Sequence, residues 1–467
     1  MDARSAASAH MSPAKRVIII GADAAGMSAA HQALRTAKRT GRELAITVLD
    51  KGTHTSYSAC GIPYLMAGDV DSADDLVART ADAHREAGID LRMSTEVVSA
   101  DLVAQTVTTG EGEVVEWDEL VVATGAPAVL PDWALRPDGT TYDGVGAVKT
   151  LDDGAEWIER FAGAPEGAHV VVVGAGYVGV EVAEAALRKG FGVTVLTRTR
   201  GMAMLEDEMS DRVNVGLADA GIELLLGAEV TGLELDGDRV TGVRWDGGTR
   251  EADLVVVAIG VRPATAFLEG TGIELTEGGA LRPDPHGRVA DHVWAAGDCC
   301  EVRRRLDDAW VFRPLGTHAN KHGRALGDSL AGGTLSFDGM TDTSITRFSY
   351  GDVHLEIART GLSRKDAEAA GHDPVALVTE GSTASGYMPE AEPIALWVMA
   401  DRTTRRLLGV QVVGGRGAGK RIDAAAAVLW AGGTVDDLAW MDLAYAPPFS
   451  TAWEILQVAA RRVAERL

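Results

Sequence analysis

Short uninterrupted apolar runs alternate along this chain with stretches whose apolar positions recur at helical spacing. The first run, Arg16-Val-Ile-Ile-Ile20, has strand length and no polar break, the pattern of a strand covered on both faces. A turn of small residues follows, then a helical pattern from Met27 to about Thr40, then a second strand, Leu44–Leu49, closed by Asp50. That order predicts a strand–helix–strand unit with a right-handed crossover and parallel pairing. The plan recurs at His169–Val173 (strand), Gly174–Gly179 (turn), Val180–Lys189 (helix) and Val193–Leu196 (strand), with no short repeat period. From Thr343 onward the texture changes. Val353–Ala358, Ile394–Met399 and Leu408–Val413 read as strands, and Lys420–Ala431 and Ser450–Arg466 as helices. The expected fold class is α/β: two Rossmann-like dinucleotide-binding domains followed by a C-terminal α+β domain.

A length of 467 residues exceeds what one core usually serves, which agrees with two or three domains. Asp and Glu number 68 against 44 Lys and Arg, a net charge of −24. Such a surface favours solubility and argues against nucleic acid or an anionic membrane as the main partner. The apolar runs are too short to span a bilayer. Residues 1–14 are small and polar, lack the apolar stretch of a signal peptide, and read as a flexible tail. Only Cys60, Cys299 and Cys300 carry thiols, too few for a disulfide scaffold, so a reducing cytoplasm is expected. Cys299 and Cys300 are read as structural. Two adjacent thiols without nearby ligands make a poor metal site, the eleven histidines do not cluster, and no metal is assigned.

Gly174-Ala-Gly-Tyr-Val-Gly179 is a GxGxxG turn between strand and helix. Gly174, Gly176 and Gly179 permit a tight turn and a close approach of pyrophosphate to free N–H groups at the helix start. An acid ending the next strand would hold the ribose 2′-hydroxyl of NAD; here stands Thr197, followed by Arg198 and Arg200. Guanidinium groups suit a 2′-phosphate, which favours NADPH, with NADH as the alternative if the arginines are merely solvated. The earlier turn, Gly21-Ala-Asp-Ala-Ala-Gly26, carries Asp23 where a second glycine would stand. Asp50 follows Gly26 by 24 residues, near the spacing of a ribose-binding acid; the alternative is a turn-capping aspartate. In Ser56-Tyr-Ser-Ala-Cys-Gly-Ile-Pro-Tyr64, Pro63 fits a first helical turn, which places Cys60 at a helix start where a thiolate is stabilised. Residue 65 is leucine, so no second cysteine completes a C-x4-C dithiol.

These motifs together resemble the pyridine nucleotide-disulfide oxidoreductases, in the single-cysteine branch that holds coenzyme A disulfide reductases, NAD(P)H oxidases and NADH peroxidases. Val121-Val-Ala-Thr-Gly125 is similar to the family's Ala-Thr-Gly hinge, Ala258-Ile-Gly-Val-Arg-Pro263 to the end of its NAD(P) domain, and Val293-Trp-Ala-Ala-Gly-Asp298 to its second FAD strand. Pro314-Leu315 and Ala319-Asn-Lys321 continue the match. The resemblance implies an FAD-binding domain at 15–150 and 291–341, an NAD(P)-binding domain at 151–290 and a dimerisation domain at 342–467.

It also implies roles. FAD would be held by Gly21, Ala24, Gly26, Asp50, Lys51, Ser56, Ala123, Thr124, Gly125, Asp298 and Pro314. NAD(P) would be held by Gly174, Gly176, Tyr177, Gly179, Glu181, Thr197, Arg198, Arg200 and Gly260, with Tyr177 lidding the nicotinamide pocket and Glu181 beside it. Ser28, Gln32, Arg35 and Ser56 match substrate contacts. The catalytic set is Cys60 with Tyr387 and Tyr445, tyrosines that reach a partner's site in a homodimer. Departures from the family pattern are Ala59, Ala87 and Trp453. The implied activity passes hydride from NADPH through FAD to Cys60, which reduces a small-molecule disulfide: coenzyme A disulfide or a related persulfide or polysulfide. The alternatives are an oxidase or peroxidase that reduces oxygen or peroxide through a cysteine sulfenic acid, and a low-turnover flavin sensor.

Overall fold

The computed structural model describes residues 14–467, so the tail read at 1–14 lies outside the described residues except for Ala14. The first sheet has six strands in the spatial order Arg288–Ala290, Val293–Ala295, Glu119–Val122, Lys15–Ile20, Leu44–Leu49 and Asp90–Arg92. Lys15–Ile20 pairs in parallel with the strands on both sides, and its last four residues are buried, as an unbroken apolar run requires. Val293–Ala295 joins the same sheet in parallel with Glu119–Val122, so the chain returns to its first core after the second unit.

The second unit carries a five-strand parallel sheet: Glu223–Leu226, Gly192–Thr197, His169–Val173, Leu254–Val257 and Val145–Gly146. The last of these strands differs from expectation. Val145–Gly146 was assigned by sequence to the first domain, yet it pairs with Leu254–Val257 in the second. In the opposite sense, Arg288–Ala290, expected in the second domain, pairs with Val293–Ala295 in the first sheet. Two- and three-residue strands carry too little pattern to announce which sheet they will join.

The C-terminal unit is a five-strand antiparallel sheet, Ser344–Tyr350, Val353–Gly361, Leu407–Gly414, Pro393–Asp401 and Pro374–Ser382. Pro393–Asp401 and Leu407–Gly414 are buried almost throughout, with Trp397 at the centre, because helices Ile422–Trp430 and Ile455–Ala464 pack on the sheet. A short helix, Val435–Trp440, went unread in the sequence. Its signal was the cap rather than the periodicity: Thr434 accepts from Asp437 N, and the Asp437 side chain accepts from Thr434 N.

Two contacts position the site. Helix Ala24–Thr40 lies against helix Gly316–Leu330 with its backbone almost touching. A Cβ on Gly323 would stand 2.2 Å from Ala25 O, and one on Gly327 2.1 Å from Ala29 O. Helix Tyr177–Arg188 of the second unit packs against helix Ile62–Ala67 of the first and strand Ser344–Tyr350 of the third. All three units therefore meet along one helix. Among the described residues, no helix is long and apolar enough to cross a membrane.

Candidate functional site

Both glycine turns have the geometry their sequences imply. Gly21 and Gly174 adopt φ of 110° and 107°, a region that disfavours side chains. A Cβ on Gly26 would lie 1.9 Å from Gly21 O, and one on Gly179 2.0 Å from Gly174 O, so each helix starts pressed against its own turn. A Cβ on Gly176 would meet nothing within 4 Å, which leaves open space where a pyrophosphate would approach. Neither helix start has a side-chain cap or an acid in its first turn, so the orphan N–H groups are free for an anion. These cradles fit two dinucleotides.

The first turn has one departure. Asp23 is the residue preceding helix Ala24–Thr40, and burial, with Asp50 nearby, pushes its carboxyl up to about 6. Asp50 accepts from Ala22 N at 2.6 Å and from Gly52 N at 2.6 Å, which fixes the turn around it. Ala24 opens the helix, and Lys51 is exposed beside Glu96. Ala123 lies over Gly21, Thr124 donates to Ala264 O at 2.7 Å, and Gly125 has φ of 68°.

A cavity of about 1660 Å³ runs from the Gly174–Gly179 turn to Cys60. Its walls include Gly260, Pro314, Tyr177, Glu181, Thr197 and Arg198. Cys60 is exposed as a residue while its sulfur is crowded by surrounding protein, in a one-turn 3₁₀ helix, Ala59–Gly61, ahead of helix Ile62–Ala67. The expectation of a thiolate stabilised by that helix start is corrected: burial and then the Glu181 carboxylate push the thiol up. The helix is only six residues long, and Glu181 brings negative charge. Lys149 opposes this, favouring the thiolate, and sits 3.6 Å from Asp298. Lys149, Tyr64 and Thr346 belong to this neighbourhood and were not foreseen. Tyr64 stands four residues after Cys60 in the same unit, whereas Lys149 and Thr346 come from distant stretches that nothing local marks. Tyr177 hydrogen-bonds Ser344 of the third unit. Cys299 and Cys300 are buried, with their sulfurs 3.7 Å apart, and Cys299 donates to backbone carbonyls.

The two arginines after Thr197 separate. Arg198 is exposed on the cavity wall, and among the described residues it forms no ion pair. Arg200 lines the same cavity, with its guanidinium paired to Asp211 and Asp207. Gln32 is also corrected as a substrate contact. It is buried, donates to Thr36 and Asp328, and accepts from Arg35. Arg35 is exposed, and Ser28 donates to Asn320. Ser56 lies 2.9 Å from His84 Nε2, and His84 Nδ1 lies 2.7 Å from His31 Nε2. Tyr387 and Tyr445 are 76% and 51% exposed and are not among the walls of this chain's own cavity.

The histidine pair makes a testable contribution to stability. Burial, then His31 and Arg79, hold His84 down to about 4. An unfolded histidine titrates near 6.5, so the unfolded chain gains a proton first as pH falls. The stability His84 contributes is complete above about pH 6.5 and is lost on descending towards 4. In His84→Phe, the fall in melting temperature between pH 7 and pH 4.5 is expected to be smaller than in the parent by about 2–5 °C, measured by calorimetry.

Residues 15–314 match the profile of the pyridine nucleotide-disulphide oxidoreductases, and residues 350–456 that of their dimerisation domain. The NAD(P)H coenzyme A polysulfide/persulfide reductase of Pyrococcus horikoshii is 34% identical over 464 residues, covering 96% of this chain and 98% of its own. The NADH oxidase of Methanocaldococcus jannaschii is 29% identical over 459 residues, covering 97% and 99%. The solved structure of an NAD-dependent persulfide reductase from A. fulgidus superposes with a TM-score of 0.89 at 30% identity, covering 97% of this chain and 83% of that one.

Proposed function

The chain belongs to the pyridine nucleotide-disulphide oxidoreductases, a flavin-dependent enzyme family, and from that premise we propose that it reduces a small sulfur-bonded acceptor at Cys60, with NADPH as donor. The acceptor is coenzyme A disulfide or a related persulfide or polysulfide. The observation that carries this reading is a single exposed cysteine at the end of a cavity whose other end is a dinucleotide turn. Bound FAD would supply the two-electron link between the reduced nicotinamide and sulfur.

The chain's own residues do the rest. Cys60 thiolate attacks one sulfur of the acceptor; the S–S bond breaks, a thiolate leaves, and a mixed disulfide remains on Cys60. Lys149 supports the anionic sulfur. Gly21, Gly26 and Asp50 would seat the flavin nucleotide, while Gly174, Gly176 and Gly179 would seat the donor. Tyr177 would cover the nicotinamide end, held there by Ser344. The exposed Tyr387 and Tyr445 both fall in the stretch matched to the dimerisation domain, which supports a homodimer in which these tyrosines serve the partner's site.

A kinetic panel tests the reading: NADPH and NADH, each with coenzyme A disulfide, polysulfide, oxygen and peroxide. Higher kcat/KM with a sulfur acceptor supports it. Equal or faster consumption with peroxide alone shifts the assignment to a peroxidase, and with oxygen alone to an oxidase, the activity named for the Methanocaldococcus relative.

Donor choice rests on Arg198, the free arginine on the wall. Arg198→Ala is expected to raise the KM for NADPH about tenfold or more and to leave that for NADH nearly unchanged, as loss of a charge-assisted bond to phosphate requires. Arg200→Ala, whose guanidinium already serves two aspartates, is expected to change the NADPH-to-NADH ratio much less.

A further inference from the structure

The loop after strand Gly192–Thr197 is pinned on two sides. Met202 N donates to Ala175 O, inside the second glycine turn, at 2.7 Å. Gly201 N donates to the Asn214 side chain at 3.1 Å, and Ser210 Oγ donates to Gly201 O. Ser210 and Asn214 are buried on helix Asp207–Asp219. The backbone at 201 and 202 is therefore fixed between the dinucleotide turn and the next helix. Arg200 projects from beside that fixed point, and its guanidinium pairs with Asp211 and, at 3.4 Å, with Asp207. We propose that Asp207 and Asp211 are specificity-determining residues for the donor: they hold Arg200 off a 2′-phosphate and keep the preference for NADPH over NADH below what two free arginines would give. This rests on the donor's adenosine end lying at Arg198.

The helix presents the two acids by spacing. Positions 207 and 211 are four apart, so both carboxylates stand on one face. Asp207 lies in the first turn, where free N–H groups favour an anion. Arg198 and Arg200 both line the cavity, whereas the two acids are not among its walls. The acids therefore act on a bound nucleotide through Arg200 and not by touching it.

Two effects act in the same direction. A guanidinium engaged by two carboxylates has fewer N–H donors to turn towards a phosphate. The three side chains together carry one net negative charge, where Arg200 alone carries one positive, so the attraction for a dianion is reduced. The side chains of both acids are largely exposed, and exposed ion pairs are weak, so the restraint shifts a preference and does not abolish it. NADH bears a hydroxyl at the 2′ position, so its binding is indifferent to where Arg200 points.

A double-mutant cycle on the flavin-loaded protein tests this. Affinity for 2′,5′-ADP and for 5′-AMP is measured by titration calorimetry, and KM is measured with NADPH and with NADH. Asp207→Asn combined with Asp211→Asn keeps both side-chain shapes and removes both charges. This double variant is expected to bind 2′,5′-ADP about three- to tenfold more tightly than the parent and to lower the KM for NADPH by a similar factor, with 5′-AMP and NADH within about twofold of the parent. Asp211→Asn alone leaves the acid at the helix start in place and is expected to give part of the gain. Arg200→Ala is expected to change these values little in the parent and to cancel the gain in the double variant. No gain in the double variant overturns the proposal. So does a gain that survives Arg200→Ala, which is bare removal of negative charge, and so does a gain shared equally by 5′-AMP and NADH, which is a rearranged loop. Arg198→Ala separates this inference from the reading beneath it. If Arg198→Ala leaves 2′,5′-ADP and NADPH unaffected, the phosphate is read elsewhere and both fail. If Arg198→Ala weakens both ligands while the cycle shows no coupling to Arg200, the restraint alone is removed.

Discussion

Cys60→Ser is expected to be a folded, yellow, flavin-loaded protein whose turnover with coenzyme A disulfide or polysulfide is at least about 10³-fold below that of the parent. Serine keeps the size and the hydrogen-bonding capacity of the side chain, so neither the 3₁₀ turn at Ala59–Gly61 nor the cavity should change. What is lost is a polarisable nucleophile able to exchange sulfur for sulfur. The alkoxide of serine is inaccessible at neutral pH, and an oxygen–sulfur bond would not be resolved by a departing thiolate. The visible spectrum and steady-state rates with each acceptor check both halves of the expectation. If oxygen consumption persists unchanged in this variant while sulfur turnover vanishes, the oxygen reaction does not use the thiol.

The second large effect concerns the two glycines that end the turns. Gly26→Val and Gly179→Val each place carbon about 2 Å from a carbonyl oxygen of the same turn, far inside contact distance, and the obstructing atom is backbone. The helix start must back away from the turn, at a cost of about 3 kcal/mol or more and with loss of the anion cradle. The consequences differ because the sheets differ. Gly179→Val is expected to keep its flavin but to be reduced by NADPH at least about 100-fold more slowly, read by stopped-flow bleaching. Gly26→Val is expected to be recovered with little flavin, read as the ratio of visible to ultraviolet absorbance. Flavin retained by Gly26→Val and lost by Gly179→Val would reverse the assignment of the two turns.

What was legible in the sequence follows from the range of each interaction. The buried parallel strands Lys15–Ile20 and His169–Val173 were plain because burial on both faces leaves a continuous apolar run. The glycine turns were plain because their constraint is local, set by residues within six positions. The return of Val293–Ala295 to the first sheet was readable only through the family pattern, since three residues hold no periodicity. The place of Cys60 on the cavity and the geometry of the glycine turns were legible, and the electrostatics were obscure. Arg200 looked like Arg198 in sequence, and only the positions of Asp207 and Asp211 on the following helix give the two arginines different surroundings. Gln32 lay on the expected helix, but its direction is dictated by Asp328, nearly three hundred residues downstream. The same holds for the Cys60 thiol: the helix start argued for ionisation, and burial, with a glutamate from another unit, argues against it.

The contact between helices Ala24–Thr40 and Gly316–Leu330 bears on how the molecule comes into being on the ribosome. The first sheet lacks its strand Val293–Ala295, and the first helix lacks the glycine-bearing surface that fits against its backbone, until residue 330 has emerged. The middle unit, continuous in sequence from its strand at Val145, can close much sooner. The nascent chain should therefore acquire its donor-binding half while the flavin half is still waiting for its last pieces, so that prosthetic-group capture follows closure of the donor half.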